Sequence, residues 1–356
     1  MGAVAELSDT LLFVAAVTYV VAMVGYLVEF AFGTRGAVAR VAMRPTRELV
    51  AVGASTAGGS SGVDSVGADA SGVDVVVSPV QSERPEHDGA PRAGRAGVVG
   101  MIGVALTVVG LGVHGAVLVT RGLAAQRVPL GNMYEFVVVL TAASVLGWLV
   151  LLALRPALRP LGVFVVGAVA LLLGYAGLVL STPAGPLIPP LQSAWLKVHV
   201  SAAAVASGLL LLAFVPAALY LIRAGYDARS GLADDGTPRM VPFPYSLGRA
   251  LPAADALERL TFRLHAFAFP IWTLAIICGA IWAEAAWGRY WGWDPKETWS
   301  FISWVAYAAY LHARATPSVK RTTATWFAVV AWLTMVVNLY VINFVAVGMH
   351  SYAGLD

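Results

Sequence analysis

Charge is scarce in this chain and thiols are nearly absent. Asp, Glu, Lys and Arg make up 12% of the 356 residues against 59% apolar ones, whereas a soluble domain carries about 25% charged residues. That shortage excludes an ordinary soluble fold and points to an integral membrane protein. A single cysteine, Cys278, excludes an internal disulfide and a CxxC redox site within the chain. Lying inside an apolar segment, it reads as a small buried residue. Thiol chemistry therefore has to come from another protein. The net charge of +3 is accounted for by loop residues and gives no argument for a nucleic-acid partner.

What is present is a series of long apolar segments, each able to supply the ~20 residues that a helix needs to cross a bilayer. They fall at 11–31, 97–119, 133–154, 161–181, 198–222, 264–283, 299–316 and 323–347. The expected fold is all-α, a bundle of about eight transmembrane helices. Basic residues collect in cytoplasmic loops. Placing both termini outside the cytoplasm puts eighteen of the 23 lysines and arginines inside, and leaves only Arg121, Arg127, Lys197, Arg289 and Lys296 outside. The first span, residues 1–32, follows Glu6 and Asp9 rather than a basic region, so it reads as a retained helix and not as a cleaved signal. Residues 33–96 are rich in Gly, Ala, Ser and Val without a helical or alternating period and read as a disordered cytoplasmic linker, His87 included. Residues 97–356 then form a seven-helix core.

Two corners carry helix-start chemistry. Asn132 and Glu135 in PLGNMYE have the spacing of an N-cap and its reciprocal partner. Asp294-Pro-Lys-Glu297 repeats the pattern with a proline at the first helical position. The second corner closes the stretch Trp287-Gly-Arg-Tyr-Trp-Gly-Trp-Asp-Pro-Lys-Glu297, which crowds Trp287, Trp291 and Trp293 together with Tyr290 into eleven positions. Large flat side chains with Gly288 and Gly292 between them read as a platform for a planar ligand. A tryptophan belt at the membrane boundary is the other reading. Topology brings His199, the 287–297 loop and His350 to the same extracytoplasmic surface. His312 follows Ser300, Trp304 and Ala308 at i, i+4 spacing, about 18 Å down its helix, where an ionisable residue marks function by default. His265 opens the sixth span at a similar depth. His114 reads either as a ligand or as a polar residue satisfied within the bundle.

The segments WGRYWGWDPKE and TWSFISWVAYAAYLHAR, with PLGNMYE at 129–135, WLKVHV at 195–200 and GMHSYAG at 348–354, resemble the tryptophan-rich WWD family of cytochrome c biogenesis. The likeness is to the CcsA-type (ResC-like) subunit of system II, and it covers most of 97–356. It implies a protein of the plasma membrane that binds haem b and moves or presents it at the extracytoplasmic face. It also implies His199 and His350 as external haem-iron ligands beside the loop, with Trp287, Trp291, Trp293 and Asp294 at the haem, and His312 as a membrane ligand. The partners implied are a ResB/Ccs1-like membrane subunit forming a cytochrome c synthase (haem lyase) complex, apocytochrome c with its CxxCH thiols, and a thiol-reducing thioredoxin-like protein. The ligand opposite His312 is then a histidine of the membrane partner, or His265 within this chain. No residue is assigned a catalytic role.

Two imidazoles flanking an aromatic surface suit haem iron, with the acidic side chains of the macrocycle near Arg289 or Lys296. Zinc fits poorly, since it wants four ligands from Cys, His and carboxylate. A b-type electron-transfer subunit and a haem exporter remain as alternatives. The first would place paired histidines on facing helices, and the second would need no exposed platform.

Overall fold

A computed structural model describes residues 2–33, 89–185, 189–232 and 237–345. Most of the expected linker, His87, and the C-terminal GMHSYAG with His350 lie outside the described residues. The described chain forms eight long helices and, among those residues, no strand. They are α1 (Gly2–Phe32), α2 (Gly89–Ala125), α3 (Met133–Leu154), α4 (Gly162–Val179), α5 (Ala194–Arg229), α6 (Ala254–Trp287), α7 (Pro295–Ala315) and α8 (Arg321–Val336). The last continues through a π-helical turn, Val337–Val341, to Val345. Helix α2 starts at Gly89, ahead of the expected 97.

Seven of the helices are long and apolar enough to cross a membrane. Helix α7 is the exception by composition and not by length. Its 21 residues would extend about 31 Å, but Lys296, Glu297, His312 and Arg314 load both ends with polarity. The protein is an all-α integral membrane protein.

Hydrophobic side chains divide the bundle into two packed halves. One core joins Tyr19 and Tyr26 of α1 to Val145 and Trp148 of α3, Val166 and Val169 of α4, and Leu212 of α5. The other joins Phe136 and Leu140 of α3 to Ala204 and Leu210 of α5, Trp272 of α6, Tyr307 of α7 and Met335 of α8. Helices α3 and α5 thus serve both halves. Large exposed apolar residues such as Phe13, Val109, Leu171, Leu178 and Trp326 line the outside, as lipid contact requires of a span whose backbone is satisfied internally.

His114 of α2 is fully buried, and both its ring nitrogens are engaged, Nδ1 with the Tyr19 hydroxyl at 3.3 Å and Nε2 with the Val138 carbonyl at 2.9 Å. Of its two readings the structure supports the satisfied polar residue, tying α1, α2 and α3 together. The α2–α3 corner is built differently from its sequence expectation. Asn132 Oδ1 does accept the Glu135 N–H at 2.8 Å, but Glu135 does not return to Asn132. It accepts the Gly131 N–H at 2.7 Å and pairs with Arg127 at 2.7 Å and Arg121 at 3.2 Å. Arg127 donates in turn to Gly185 O at 3.0 Å and Arg121 to Thr182 O. A buried carboxylate is stable only when so compensated, and here it clamps the segment after α4 to the corner.

Candidate functional site

A cleft of about 1140 Å³, partly open to solvent, lies at the end of the bundle that carries the 287–297 loop. Its walls come from α3 (Met133, Phe136), α5 (Leu196, His199, Val200), α6 (Trp272, Gly279, Trp282), the loop (Trp287, Tyr290, Trp291), α7 (Lys296, Ser300) and the π-turn (Asn338, Leu339).

Each local element has a sequence cause. Gly288 ends α6 at φ 70°, a left-handed cap that costs glycine little. Helix α7 then starts with the full capping box, Asp294 Oδ1 accepting the Lys296 N–H at 3.0 Å and Glu297 Oε2 accepting the Asp294 N–H at 3.2 Å. Glu297 also accepts the Gly292 N–H at 2.8 Å, so this one side chain folds the loop over the cleft. Both acids are therefore caps, as their spacing suggests, and Asp294 does not line the cleft.

The tryptophans separate. Trp287 and Trp291 line the cleft, whereas Trp293 is 67% exposed at φ 54° and packs edge-on to Trp291 at 5.8 Å and to Phe301 at 6.5 Å. The left-handed backbone, costly for a residue with a Cβ, turns this ring to the outer side. Two further tryptophans, Trp272 and Trp282, come from inside α6. Trp282 stacks on the His199 ring at 6.0 Å and 11° and meets Trp287 edge-on at 4.8 Å. Both were hidden within an apolar span, although Trp272, Ala275, Gly279 and Trp282 recur at helical spacing on one face.

His199 stands in the second turn of α5. Its Nδ1 lies 2.7 Å from the Ala275 carbonyl of α6, and that carbonyl can only accept, so the proton sits on Nδ1 and the lone pair on Nε2. This is the tautomer a metal-bound histidine adopts when its other nitrogen is held by backbone. The ring packs on Gly279, where a Cβ would come within 2.7 Å of Cε1.

At the floor, the π-turn places consecutive residues Asn338 and Leu339 both on the cleft, a use of π-bulges common at functional sites. Asn338 donates to Ser300 Oγ at 2.9 Å, while its Oδ1 and the Trp272 Nε1 make no hydrogen bond among the described residues. Lys296, ahead of the apolar part of α7, reaches the cleft, and burial lowers its ammonium to about 8, opposed by Asp294. Arg289 does not line the cleft, its guanidinium lying where a Cβ of Gly292 would be. An imidazole with Nε2 basic, four tryptophans and a cation fit a planar, anionic, iron-bearing macrocycle.

The membrane histidines part company. His312 is on the exposed side of α7. His265 is fully buried against the other side, 4.7 Å from Tyr310 and 5.6 Å from Tyr307 between ring centroids. The two therefore face away from one another across α7. Among the described residues no three His, Cys, Asp or Glu side chains group as a metal site, and His350 lies outside them.

Comparison with known proteins gives the same direction. The family described as cytochrome C assembly protein matches residues 130–350. Proteins named cytochrome c biogenesis protein CcsA are similar: 33% identical in Guillardia theta, over 67% of this chain and 81% of that protein. The identity is 34% in Synechococcus sp. (strain JA-3-3Ab), over 72% and 85%, and 31% in Oryza sativa, over 66% and 81%. With more than half of its length matched, the chain belongs to the cytochrome c assembly protein family.

Proposed function

We propose that this chain works in cytochrome c biogenesis by binding haem b in the cleft and presenting it, at the extracytoplasmic face of the plasma membrane, for covalent attachment to apocytochrome c. The observation that carries this is His199, held by Ala275 in the tautomer that leaves Nε2 basic and set beside Trp282, Trp287 and Trp291. His350 is the proposed opposite ligand. In the attachment, each CxxCH thiol adds across a haem vinyl group, sulfur to the inner carbon and hydrogen to the outer, so the addition needs no oxidant. The residues named here hold and orient haem for that step, and a thioredoxin-like reductant keeps the thiols free. A ResB/Ccs1-like subunit covers the exposed side of α7 and supplies the ligand opposite His312, since His265 faces the other way.

The geometry disfavours a b-type electron-transfer subunit. Of the interior histidines, His114 is engaged at both nitrogens and His265 is enclosed by tyrosines. The test is the absorption spectrum of the purified protein. A bis-histidine signature is expected in wild type, with loss in His199→Gly and His350→Gly, partial return on adding imidazole, and parallel loss of covalent haem on c-type cytochromes while b-type haem persists. Normal haem and normal maturation in the double variant without imidazole would overturn the reading.

A further inference from the structure

The Lys296 ammonium is a cation in the cleft wall that has no ion-pair partner among the described residues, although the Asp294 charge acts on it from nearby. Its polar partners are neutral: the Asn343 amide oxygen and, at 4.0 Å, the Met133 thioether. Among the described residues it forms no ion pair, and the two nearest acids are committed elsewhere. Asp294 caps the helix through its Oδ1, and Glu297 accepts the N–H groups of Gly292 and Asp294. The position is also electrostatically adverse, because Lys296 stands in the first turn of α7, at the positive end of the helix dipole, where a cation is disfavoured. A half-buried charge so placed persists where a ligand supplies the opposite charge.

From this geometry we infer that Lys296 is the anion-recognition residue of the cleft and binds a carboxylate substituent of the macrocycle, so that the site selects porphyrins bearing free carboxylates. This rests on the reading above for the identity of the macrocycle, but the carboxylate contact is independent of iron. Asn343 is the positioning residue. Its Oδ1 accepts from the ammonium while its Nδ2 is tied to Met133 Sδ at 3.2 Å and to Leu339 O, which fixes the lysine over the cleft instead of letting it turn to solvent. Of the two cations that the sequence offered for this role, Arg289 is folded onto Gly292 and only Lys296 lines the cleft.

The experiment compares metal-free protoporphyrin IX with its dimethyl ester, titrated into the full-length purified chain and followed by quenching of tryptophan fluorescence. Wild type should bind the free acid about tenfold more tightly than the ester, the scale of one charge-assisted contact. Lys296→Gln should abolish the preference, and Lys296→Arg should keep most of it. Equal binding of acid and ester by wild type, a preference that survives in Lys296→Gln, or no binding of either porphyrin would each overturn the inference. A thermal melt of Lys296→Gln matching wild type shows that the fold is intact, and Lys296→Arg serves as the second variant if it does not match. Because iron is absent, the result is separable from the histidine reading. A free-acid preference with no histidine-ligated spectrum for haem would sink the ligation proposal and leave Lys296 standing.

Discussion

Replacing Gly279 by Ala perturbs the His199 imidazole, the proposed haem ligand, without touching it chemically. A Cβ built on Gly279 lies 2.7 Å from His199 Cε1 and 2.8 Å from Nδ1, where ordinary contact begins at 3.4 Å. In a close-packed interior the ring must retreat by about 0.7 Å. The Nδ1 contact with Ala275 O, 2.7 Å in the native arrangement, then opens to about 3.4 Å, beyond the normal hydrogen-bond range. Losing that bond costs about 1 kcal/mol and releases the tautomer, so haem affinity should fall roughly five- to tenfold. Alanine is the better helix former by about 0.8–1 kcal/mol, which only offsets the lost bond, so the thermal midpoint should hold or fall slightly while binding weakens. Haem titration monitored by absorption, beside a melting curve, reads both. Gly112→Ala, which meets nothing within 4 Å, is the control. If Gly279→Ala binds haem with wild-type affinity and an unchanged Soret band, His199 is not held in the way described.

Further outcomes follow from the same geometry. Trp287→Ala and Trp291→Ala should each weaken haem binding by about 1 kcal/mol, roughly fivefold, and Trp293→Ala by less because its ring lies outside the cleft; three variants that insert poorly but hold haem normally would restore the membrane-anchor reading. Glu135→Gln should destabilise the protein by about 3–5 kcal/mol, since it leaves Arg121 and Arg127 partly buried without their counter-charge, and an unchanged thermal midpoint would refute that account. For the orientation, Ala70→Cys and Asp235→Cys should resist an impermeant thiol reagent in intact cells while Ala353→Cys reacts, Cys278 being buried and silent; the reverse pattern would invert the topology. His312→Ala, purified with the partner subunit, should lower haem in the cleft although every cleft residue is intact, and His265→Ala should not; full haem in His312→Ala would leave that residue as lipid-facing polarity.

The helices were legible because a membrane forces them. Backbone groups in lipid have to be satisfied within the segment, so eight apolar stretches become eight long helices, and even α7 is recovered because its capping box is local chemistry. The site was legible where it depends on local pattern, as with the Asp294 cap, the position of His199 and the tryptophan cluster. It was not legible where tertiary packing decides. Trp282 looks like any apolar residue of a span until α5 brings His199 onto its face. Gly279 shares a helix face with Trp272 and Trp282, but its role appears only when an imidazole fills the space of its missing Cβ. The turn after α8 reads as uninterrupted helix, because a π-turn has no strong residue signature, yet it is what brings Asn338 to the cleft. Trp293 sits in the same motif as Trp291, and its separation from the cleft comes from one left-handed backbone angle.

The two regions with functional marks are joined by a surface and separated by a core. Between the level of His312 and the floor of the cleft, the interior is filled by His265, Tyr307, Tyr310, Ala331 and Met335, all buried to within 1%, so no macrocycle passes there without unpacking the second core. The outer side of α7 offers another continuity. From the exposed His312, the i, i+4 line through Ala308 leads to Trp304, whose ring stacks on Phe301 at 6.3 Å, and Phe301 meets Trp293 and Trp291 edge-on at 6.5 Å. Small Ala308 leaves a gap in that line where the neighbours are rings. Trp304 is fixed in place by donation to Thr273 at 2.9 Å, which keeps the aromatic row rigid and not merely greasy. Trp304 is half-buried, packs on Phe269 of α6 at 5.6 Å and joins the second core, whereas Phe301 and Trp293 in the same row are exposed. The row runs from the exposed His312 to the rim of the cleft, and under the function proposed above it is the surface on which the membrane partner would sit.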